Sequence, residues 1–160
     1  QEKMSGTTSF TEIMRSLGRV PSSKAVAYFL TAPSSSEMEK LQLEGHETIL
    51  RMERIRYADD VPICFEVASI PEKLIYNFSK EEIISSLYHV LEEKGGHKIG
   101  AASQTISAMI ASEQIADYLQ IKRGDAILRM RQITCFETGQ PFEYVRTQYV
   151  GNRFEFYLEK

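Results

Sequence analysis

The sequence of 160 residues has no tryptophan, only two cysteines and three histidines, and no large excess of either charge. Nineteen lysines and arginines stand against twenty-two aspartates and glutamates, which gives a formal net charge of -3. A surface that binds nucleic acid is usually basic, so this balance argues against nucleic-acid binding by these residues. The length and a hydrophobic share of 42% favour one domain with its own core.

The few cysteines and histidines also limit the chemistry. Cys64 and Cys135 lie far apart in apolar, strand-like runs, which favours two reduced core thiols over a disulfide. His46, His89 and His97 lack the spacing of metal ligands, so we expect no metal and no cofactor. The longest apolar runs have the length of strands, and no signal peptide is recognisable, so we expect no membrane span and a cytoplasmic location.

Helix and strand signals alternate along the chain. Two capping boxes, Ser9-Phe10-Thr11-Glu12 and Ser79-Lys80-Glu81-Glu82, predict helices that stop at Gly18 and at Gly95-Gly96. Two shorter helices are predicted over Glu37–Leu43 and Ser112–Leu119. Strand patterns cover Lys24–Thr31, Thr48–Tyr57, Ile63–Ile70, Lys98–Ile110, Ala126–Phe136, Glu143–Val150 and Phe154–Leu158. Adjacent antiparallel strands with interspersed helices predict an α+β domain.

An internal repeat sharpens this prediction. Leu41–Met52 aligns without gaps on Leu119–Met130, with half of the positions identical. In both copies a helix signal precedes the strand, and a hairpin with a proline just after its turn follows. We therefore predict a pseudo-twofold antiparallel sheet to which each copy contributes a strand pair. The alternative is a chance similarity between two amphipathic strands.

The two copies differ at positions that are suited to binding an anion. The first copy has Arg54 and Arg56 where the second has Gln132 and Thr134. Strand side chains alternate between faces, so both arginines lie on one face, where their guanidinium groups can bind a single phosphate. The alternative is a pair of surface arginines neutralised by Asp59-Asp60 or by a neighbouring carboxylate.

Hydroxyl groups and a helix start add further candidates for the same anion. The predicted helix after Ser9 exposes unpaired N–H groups and a partial positive charge, although plain capping by Ser9 is the alternative. Ser86-Leu87-Tyr88 lies off the apolar stripe of its helix and contributes two hydroxyl groups, with a solvated helix face as the alternative.

Two carboxylates are candidates for binding the rest of a ligand. Glu66 lies on a strand face that is otherwise small and apolar, and Glu143 shares its face with Tyr149. A buried acid needs a cation or a hydrogen-bond donor, which sugar hydroxyls or an amino group can supply. The alternatives are a salt bridge to an arginine such as Arg146, or exposure near a strand end. The sequence has no Ser/His/Asp or Cys/His arrangement that supports catalysis.

Several of these segments together carry a family resemblance. They are Thr8-Ser9-Phe10-Thr11-Glu12, Arg54–Pro62, Glu66, Ser85–Tyr88, Pro141–Tyr144 and Tyr149–Phe154. In this order they resemble the UTRA domain, the effector-binding half of the HutC subfamily of GntR-type bacterial transcription regulators. The resemblance implies a chorismate-lyase-like fold, a homodimer and a small-molecule pocket without catalytic activity. It also implies that residues 1–160 form a single effector-binding domain, and that a winged-helix domain preceding residue 1 binds operator DNA.

Within that family the chain is most similar to regulators that sense phosphorylated amino sugars. The resemblance assigns the phosphate to Ser9, the Phe10 amide, Arg54, Arg56, Ser86 and Tyr88, and the sugar end to Glu66, Glu143 and Tyr149. Glucosamine-6-phosphate and N-acetylglucosamine-6-phosphate are the implied ligands. The Gln104–Ser107 segment departs from that branch, which often carries acids at positions 105 and 107, so a fructosamine-6-phosphate is a third candidate. The alternatives are a lyase acting on chorismate and a dimerisation module with a vestigial pocket.

Overall fold

The computed structural model describes residues 10–157 and residue 159, which form one six-stranded antiparallel sheet with helices on both faces. The α-helices in this part are α1 (Phe10–Ser16), α2 (Ser35–Leu41), α3 (Lys80–Glu93) and α4 (Glu113–Leu119), with one 3-10 turn at Glu72–Leu74. The strands are β1 (Pro21–Thr31), β2 (Ile49–Ala58), β3 (Val61–Pro71), β4 (Ile99–Ile110), β5 (Ala126–Phe136) and β6 (Pro141–Val150). The predicted α+β class is confirmed.

The strand order shows the predicted repeat. The sheet runs β1-β2-β3-β6-β5-β4, so exchanging the first three strands with the last three leaves the order unchanged. Each half has the same element sequence of helix, strand, helix, strand and strand. The halves are joined at the centre, where β3 pairs with β6. The pseudo-twofold arrangement is therefore confirmed.

Equivalent helices of the two halves also begin and end alike. Ser34 caps α2 and Ser112 caps α4, each by accepting a hydrogen bond from a backbone N–H of the first turn. Both helices end at a glutamine in the left-handed conformation, Gln42 at φ 55° and Gln120 at φ 55°. These two glutamines occupy aligned positions of the repeat. The local backbone has thus kept the symmetry that the sequence alignment indicates.

The two faces of the sheet are covered by different helices. We call the face that carries Arg54, Glu66 and Glu143 the site face, and the opposite one the outer face. On the site face, α3 packs against Leu50 and Ile70 of the sheet, whereas α1 packs against a separate group. That group contains Cys64, Met130 and Tyr149. Helices α2 and α4 cover the outer face. The part of the site face between the α1 and α3 contacts holds the candidate site.

A buried ionic cluster fixes α2 on the outer face. The carboxylate of Glu37 is fully buried and accepts hydrogen bonds from Arg51, Ser69 and Arg146. Burial opposes its ionisation, yet the bonds from Arg51 and Ser69 outweigh burial and lower the pKa of Glu37 to about 2. Arg146 was one partner suggested for Glu66 or Glu143. That suggestion is wrong, because Arg146 pairs with Glu37 on the outer face.

Two predicted elements need correction, and β1, β3 and β6 begin slightly earlier than predicted, at Pro21, Val61 and Pro141. Helix α2 covers Ser35–Leu41 rather than Glu37–Leu43, because the Ser34 cap starts it earlier and the left-handed Gln42 ends it. Residues 154–157 form no strand. Phe154 and Phe156 instead pack on Tyr149, with ring centroids 4.2 Å and 5.3 Å away. The apolar pattern at this end therefore reflects an aromatic cluster.

The remaining composition-based expectations concern thiols, metals and membranes. Cys64 is buried, Cys135 is half-buried, and both are free thiols. Within residues 10–157, no group of three His, Cys, Asp or Glu side chains is placed to hold a metal ion. None of the helices in that range combines the length and the apolar character that a bilayer crossing requires.

Candidate ligand-binding site

Two arginines and one carboxylate form the centre of the candidate site. Arg54 donates to Glu66 Oε1 at 2.8 Å, and Arg56 donates to Glu66 Oε2 at 3.3 Å. The side chains are only 15%, 10% and 14% exposed for Arg54, Arg56 and Glu66. A cluster this deeply buried is not a surface ion pair of small energetic consequence.

The hairpin between β2 and β3 explains why these side chains meet. Its turn residues Asp59 and Asp60 have φ of 49° and 63°, as a tight hairpin with two left-handed residues requires. The resulting register places Arg54 directly opposite Glu66. Asp59 bonds to Arg19 and to the backbone N–H of Val20 instead. The alternative prediction for Arg54 and Arg56, pairing with a neighbouring carboxylate, is thus confirmed, and that carboxylate is Glu66. The predicted surface location of the two arginines and the predicted partner Asp59 are wrong.

The start of α1 lies over the same arginines. The Arg56 guanidinium stacks on the Phe10 ring, 5.0 Å from its centroid, and donates to Thr11 Oγ1 at 3.4 Å. Burial lowers the pKa of Arg56, and the charge of Glu66 opposes that effect. Ser9, the predicted hydroxyl ligand at the helix start, lies outside the described residues.

This cluster carries an excess of positive charge. One carboxylate, Glu66, serves two guanidinium groups, and burial raises its pKa less than the charges of Arg54 and Arg56 lower it. The Nε atoms of Arg54 and Arg56 are buried and have no hydrogen-bond partner among the described residues. Buried donors and an unbalanced buried charge both cost stability unless a partner is supplied.

A second, acidic group lies further along the site face. The Tyr88 hydroxyl donates to Glu143 Oε1 at 2.7 Å and lies 3.1 Å from Thr134 Oγ1. Burial raises the pKa of Glu143 to about 7; the bond from Tyr88 opposes this, and the charge of Glu66 adds to it. Burial also raises the pKa of Tyr88. The charge of Arg54 acts on Glu143 as well, so the two groups belong to one electrostatic environment.

Residues missed by the sequence reasoning extend the acidic group. Gln104 donates to Gln132 Oε1 at 2.7 Å, and Gln132 donates to Thr134 Oγ1 at 3.1 Å. Gln132 and Thr134 were noted only as the residues that replace Arg54 and Arg56 in the second copy. Their alignment with the two arginines was the signal that could have identified them.

The remaining predicted ligand-binding residues among those described are Ser86 and Tyr149. Ser86 lies where α3 departs from helical geometry, and its hydroxyl bonds to the Glu82 carbonyl at 3.4 Å. Tyr149 is buried opposite Cys64, next to the arginine cluster, and burial raises its pKa. The structure therefore brings Phe10, Arg54, Arg56 and Glu66 together, pairs Tyr88 with Glu143, and puts Tyr149 on the same face.

A groove lies elsewhere, between α1, the start of β3 and the segment after β6. Ile13, Leu17, Val61, Ile63 and Phe154 contribute its apolar lining. None of the predicted ligand residues among the described ones lines this groove. The chemistry of the arginine cluster, rather than the size of a depression, therefore defines the candidate site.

Comparison with known proteins agrees with this fold. The model of the UTRA domain family matches residues 16–155. The HTH-type transcriptional repressor NagR of Bacillus subtilis is 31% identical over 157 residues, which cover 98% of this chain and 64% of NagR. The mannosyl-D-glycerate transport/metabolism system repressor MngR of Escherichia coli is 25% identical over 94% of this chain and 63% of its own.

A solved structure shows the same similarity. The crystal structure of a GntR-family transcriptional regulator from Enterococcus faecalis V583 superposes with a TM-score of 0.85 and 69% sequence identity. The match covers 87% of this chain and all of that one. The chain spans less than two thirds of the length of the two named repressors.

These findings define a ligand-binding domain of the α+β class with an antiparallel sheet. The chain belongs to the UTRA domain family and is the ligand-binding domain of a GntR-family transcription regulator. The lyase alternative finds no support in the comparisons, because the relatives and the solved structure are named as transcription regulators.

Proposed function

We propose that this domain binds a small phosphorylated sugar or sugar amine, such as glucosamine-6-phosphate, N-acetylglucosamine-6-phosphate or a fructosamine-6-phosphate. The observation that carries this proposal is the buried cluster in which Arg54 and Arg56 share only Glu66. A phosphate supplies the missing negative charge and accepts the unused guanidinium N–H bonds. In this arrangement the Phe10 amide and Ser86 are further phosphate ligands, together with Ser9, whereas Tyr88, whose hydroxyl donates to Glu143, belongs to the opposite end of the site.

The opposite end of the ligand meets carboxylates. Glu66, Glu143 and Tyr149 share the site face with the arginines, and carboxylate oxygens accept hydrogen bonds from hydroxyl or amino groups. The Escherichia coli relative is a repressor of a transport and metabolism system for mannosyl-D-glycerate, a sugar joined to an acid. An anionic sugar derivative as the ligand agrees with that relationship.

We further propose that the ligand controls DNA binding by a repressor in the cytoplasm. NagR and MngR are both longer than this chain, so a winged-helix domain preceding residue 1 is the proposed partner for operator DNA. Phosphate binding between the start of α1 and the hairpin that carries Arg54 and Arg56 would reorient that domain. A ligand changes the equilibrium only through different affinities for the two arrangements. Equal operator affinity of the full-length protein with and without ligand would contradict this mechanism.

The first experiment measures ligand-induced stabilisation of the domain. Glucosamine-6-phosphate, N-acetylglucosamine-6-phosphate, a fructosamine-6-phosphate, glucose-6-phosphate and inorganic phosphate are compared by thermal shift. We expect the amino-sugar phosphates to raise the Tm more than inorganic phosphate does. If no phosphorylated compound raises it, the ligand class is wrong. Conversion of added chorismate into product would instead revive the lyase alternative.

Arginine variants test where the phosphate lies. Arg54→Ala and Arg56→Ala should each weaken binding of the best panel compound by about 1.5–3 kcal/mol, because each removes a buried charge-assisted hydrogen bond. Arg54→Lys keeps the positive charge but loses the planar guanidinium group, which can donate two parallel hydrogen bonds to one phosphate. The affinity of this variant for the ligand should therefore lie between those of wild type and Arg54→Ala. Arg19→Ala is the matched control, since Arg19 pairs with Asp59 at the surface. Unchanged calorimetric affinity in both alanine variants would place the phosphate elsewhere.

A further inference from the structure

A chain of four hydrogen bonds leads across the site face to Glu143. It starts at Gln104 on β4, passes through Gln132 and Thr134 on β5, and reaches Glu143 through Tyr88 of α3. Its donor–acceptor distances are 2.7, 3.1, 3.1 and 2.7 Å in that order. We call these five residues the donor chain.

The donor chain has a direction, which follows from the number of protons available. When Glu143 is ionised, the single proton of the Tyr88 hydroxyl is donated to its carboxylate. Thr134 Oγ1 accepts from Gln132, so its own proton points to the Tyr88 oxygen 3.1 Å away. This arrangement gives every hydroxyl proton an acceptor. All donors therefore point towards Glu143, and each bond polarises the next one.

This direction determines what a ligand meets at the acidic end. Glu143 is buried, and Tyr88 is its one hydrogen-bond donor among the described residues. A buried carboxylate with an open oxygen is stabilised by another donor. The protons of Tyr88 and Thr134 are already used, so these hydroxyls have none left for an acceptor on the ligand. This end of the site therefore accepts hydrogen bonds and donates none from its hydroxyls.

The repeat gives the two ends of the site opposite character. Gln132 and Thr134 align with Arg54 and Arg56, and extending the same offset to the preceding helices matches Tyr88 with Phe10. Phe10 stacks with Arg56, whereas Tyr88 lies beside Thr134 and Glu143. A ligand that satisfies both ends is anionic at one end and carries hydrogen-bond donors at the other.

We propose that Gln132 and Thr134 determine ligand specificity by holding Tyr88 as a donor to Glu143, so that the site selects an ammonium group over an acylated amine. An ammonium brings positive charge and three N–H donors to the open carboxylate oxygen. An acylated amine lacks that charge and brings a carbonyl that finds no free hydroxyl proton there. This inference rests on the proposed function, since it concerns the second end of the same ligand. Gln132 and Thr134 act through Tyr88 and are positioning residues.

The first test compares affinities for glucosamine-6-phosphate and N-acetylglucosamine-6-phosphate by calorimetry at a pH above 7, where Glu143 is mostly ionised. The wild-type domain should prefer the free amine by about tenfold or more, because an acceptor without a donor partner is penalised in a buried site. Gln132→Met and Thr134→Val should reduce this preference to about threefold or less, because Tyr88 is then free to turn its proton elsewhere. Thr134→Ser keeps the hydroxyl and should keep the preference.

Gln148→Met is the matched control, because Gln148 lies on the outer face of the same sheet, opposite Arg129. It should leave the preference unchanged. A wild-type preference for the acylated amine would overturn the proposal. An unchanged preference in both Gln132→Met and Thr134→Val, with far-UV circular dichroism equal to wild type, would also overturn it.

A second test needs no ligand and separates this inference from the proposed function. The pKa of Glu143 is followed by carbon NMR of glutamate-labelled protein. Thr134→Val should raise this pKa because the donor chain no longer supports the carboxylate, whereas Thr134→Ser should not. Glu66 and Arg54, whose charges also act on Glu143, are unchanged in all variants. If no sugar phosphate binds, the proposed function fails. Independently of that result, a Glu143 pKa that is the same in Thr134→Val as in wild type would refute the donor chain.

Discussion

Two carboxylates on one face of the sheet show how strongly the surroundings set the behaviour of a residue. Glu66 lies between two guanidinium groups, and their charges keep its pKa below the usual value despite burial. Glu143 has a tyrosine hydroxyl as its partner, and burial raises its pKa to about 7. At neutral pH, Glu66 is therefore fully ionised, whereas Glu143 is about half protonated.

The raised pKa of Glu143 predicts a pH-dependent stability. The native state retains a proton that the unfolded chain releases above its usual pKa of 4.5. Its contribution to stability therefore falls as pH rises from 4.5 to about 7 and stays constant above that. Glu143→Gln removes this loss and should raise the free energy of unfolding at pH above 7 by up to about 3 kcal/mol.

The measurement is a set of urea unfolding curves for both proteins across this pH range, without ligand. The difference between variant and wild type should be smallest at acidic pH and should grow towards neutral pH. A difference that does not vary with pH would show that Glu143 titrates normally.

Individual residues were predictable where one strand pattern was sufficient. Alternation put Arg54 and Arg56 on one face, and the small apolar neighbours of Glu66 indicated that it is buried. Long-range partners were not predictable in this way. Gln132 joins a hydrogen-bond chain with residues from β4, α3 and β6, and that depends on strand order and register.

At the scale of the elements, the capping pattern predicted the start of α3 but missed that of α2. Ser79 with Glu82 forms the predicted capping box of α3, whereas α2 begins before the predicted Glu37 because Ser34 caps it. The position of α2 on the sheet was not predictable. It depends on Glu37, which looks like an ordinary first-turn acid in the sequence but binds residues of three strands.

We expect Glu37→Ala to destabilise the domain by about 3–5 kcal/mol, because it leaves Arg51 and Arg146 without their shared buried carboxylate. Equilibrium unfolding in urea measures this loss. Glu39→Ala is the matched control on the same helix, since the Glu39 side chain is 78% exposed, and it should change stability by less than about 0.5 kcal/mol. Equal effects of the two substitutions would mean that the buried cluster does not hold α2 on the sheet.

At the scale of the whole molecule, the two edges of the sheet differ although the halves are related. Edge strand β1 contains Pro21 and Lys24, both of which protect an edge from pairing. Edge strand β4 has twelve residues, no charged residue and no proline, and is exposed or half-exposed along its length. This edge is where we expect the proposed homodimer to form.

A lysine on this edge tests that location. Thr105→Lys should shift the domain from dimer to monomer in sedimentation equilibrium, because a twofold-related pair of strands would bring like charges together. Mixing Thr105→Lys with Thr105→Glu should restore association. Ser23→Lys on β1 is the control and should leave the dimer intact. A wild-type domain that is monomeric at high concentration would refute the proposed assembly.

The central joint between β3 and β6 makes the two halves dependent on each other. Each half taken alone would expose one of these strands as a new edge, and Glu37 of the first half would lose Arg146 of the second. The halves are connected in the chain only by the short segment after the turn at Glu72–Leu74 and before α3. Cutting the polypeptide in that segment would thus give two fragments suited to complementation, in which neither fragment folds stably until the two associate.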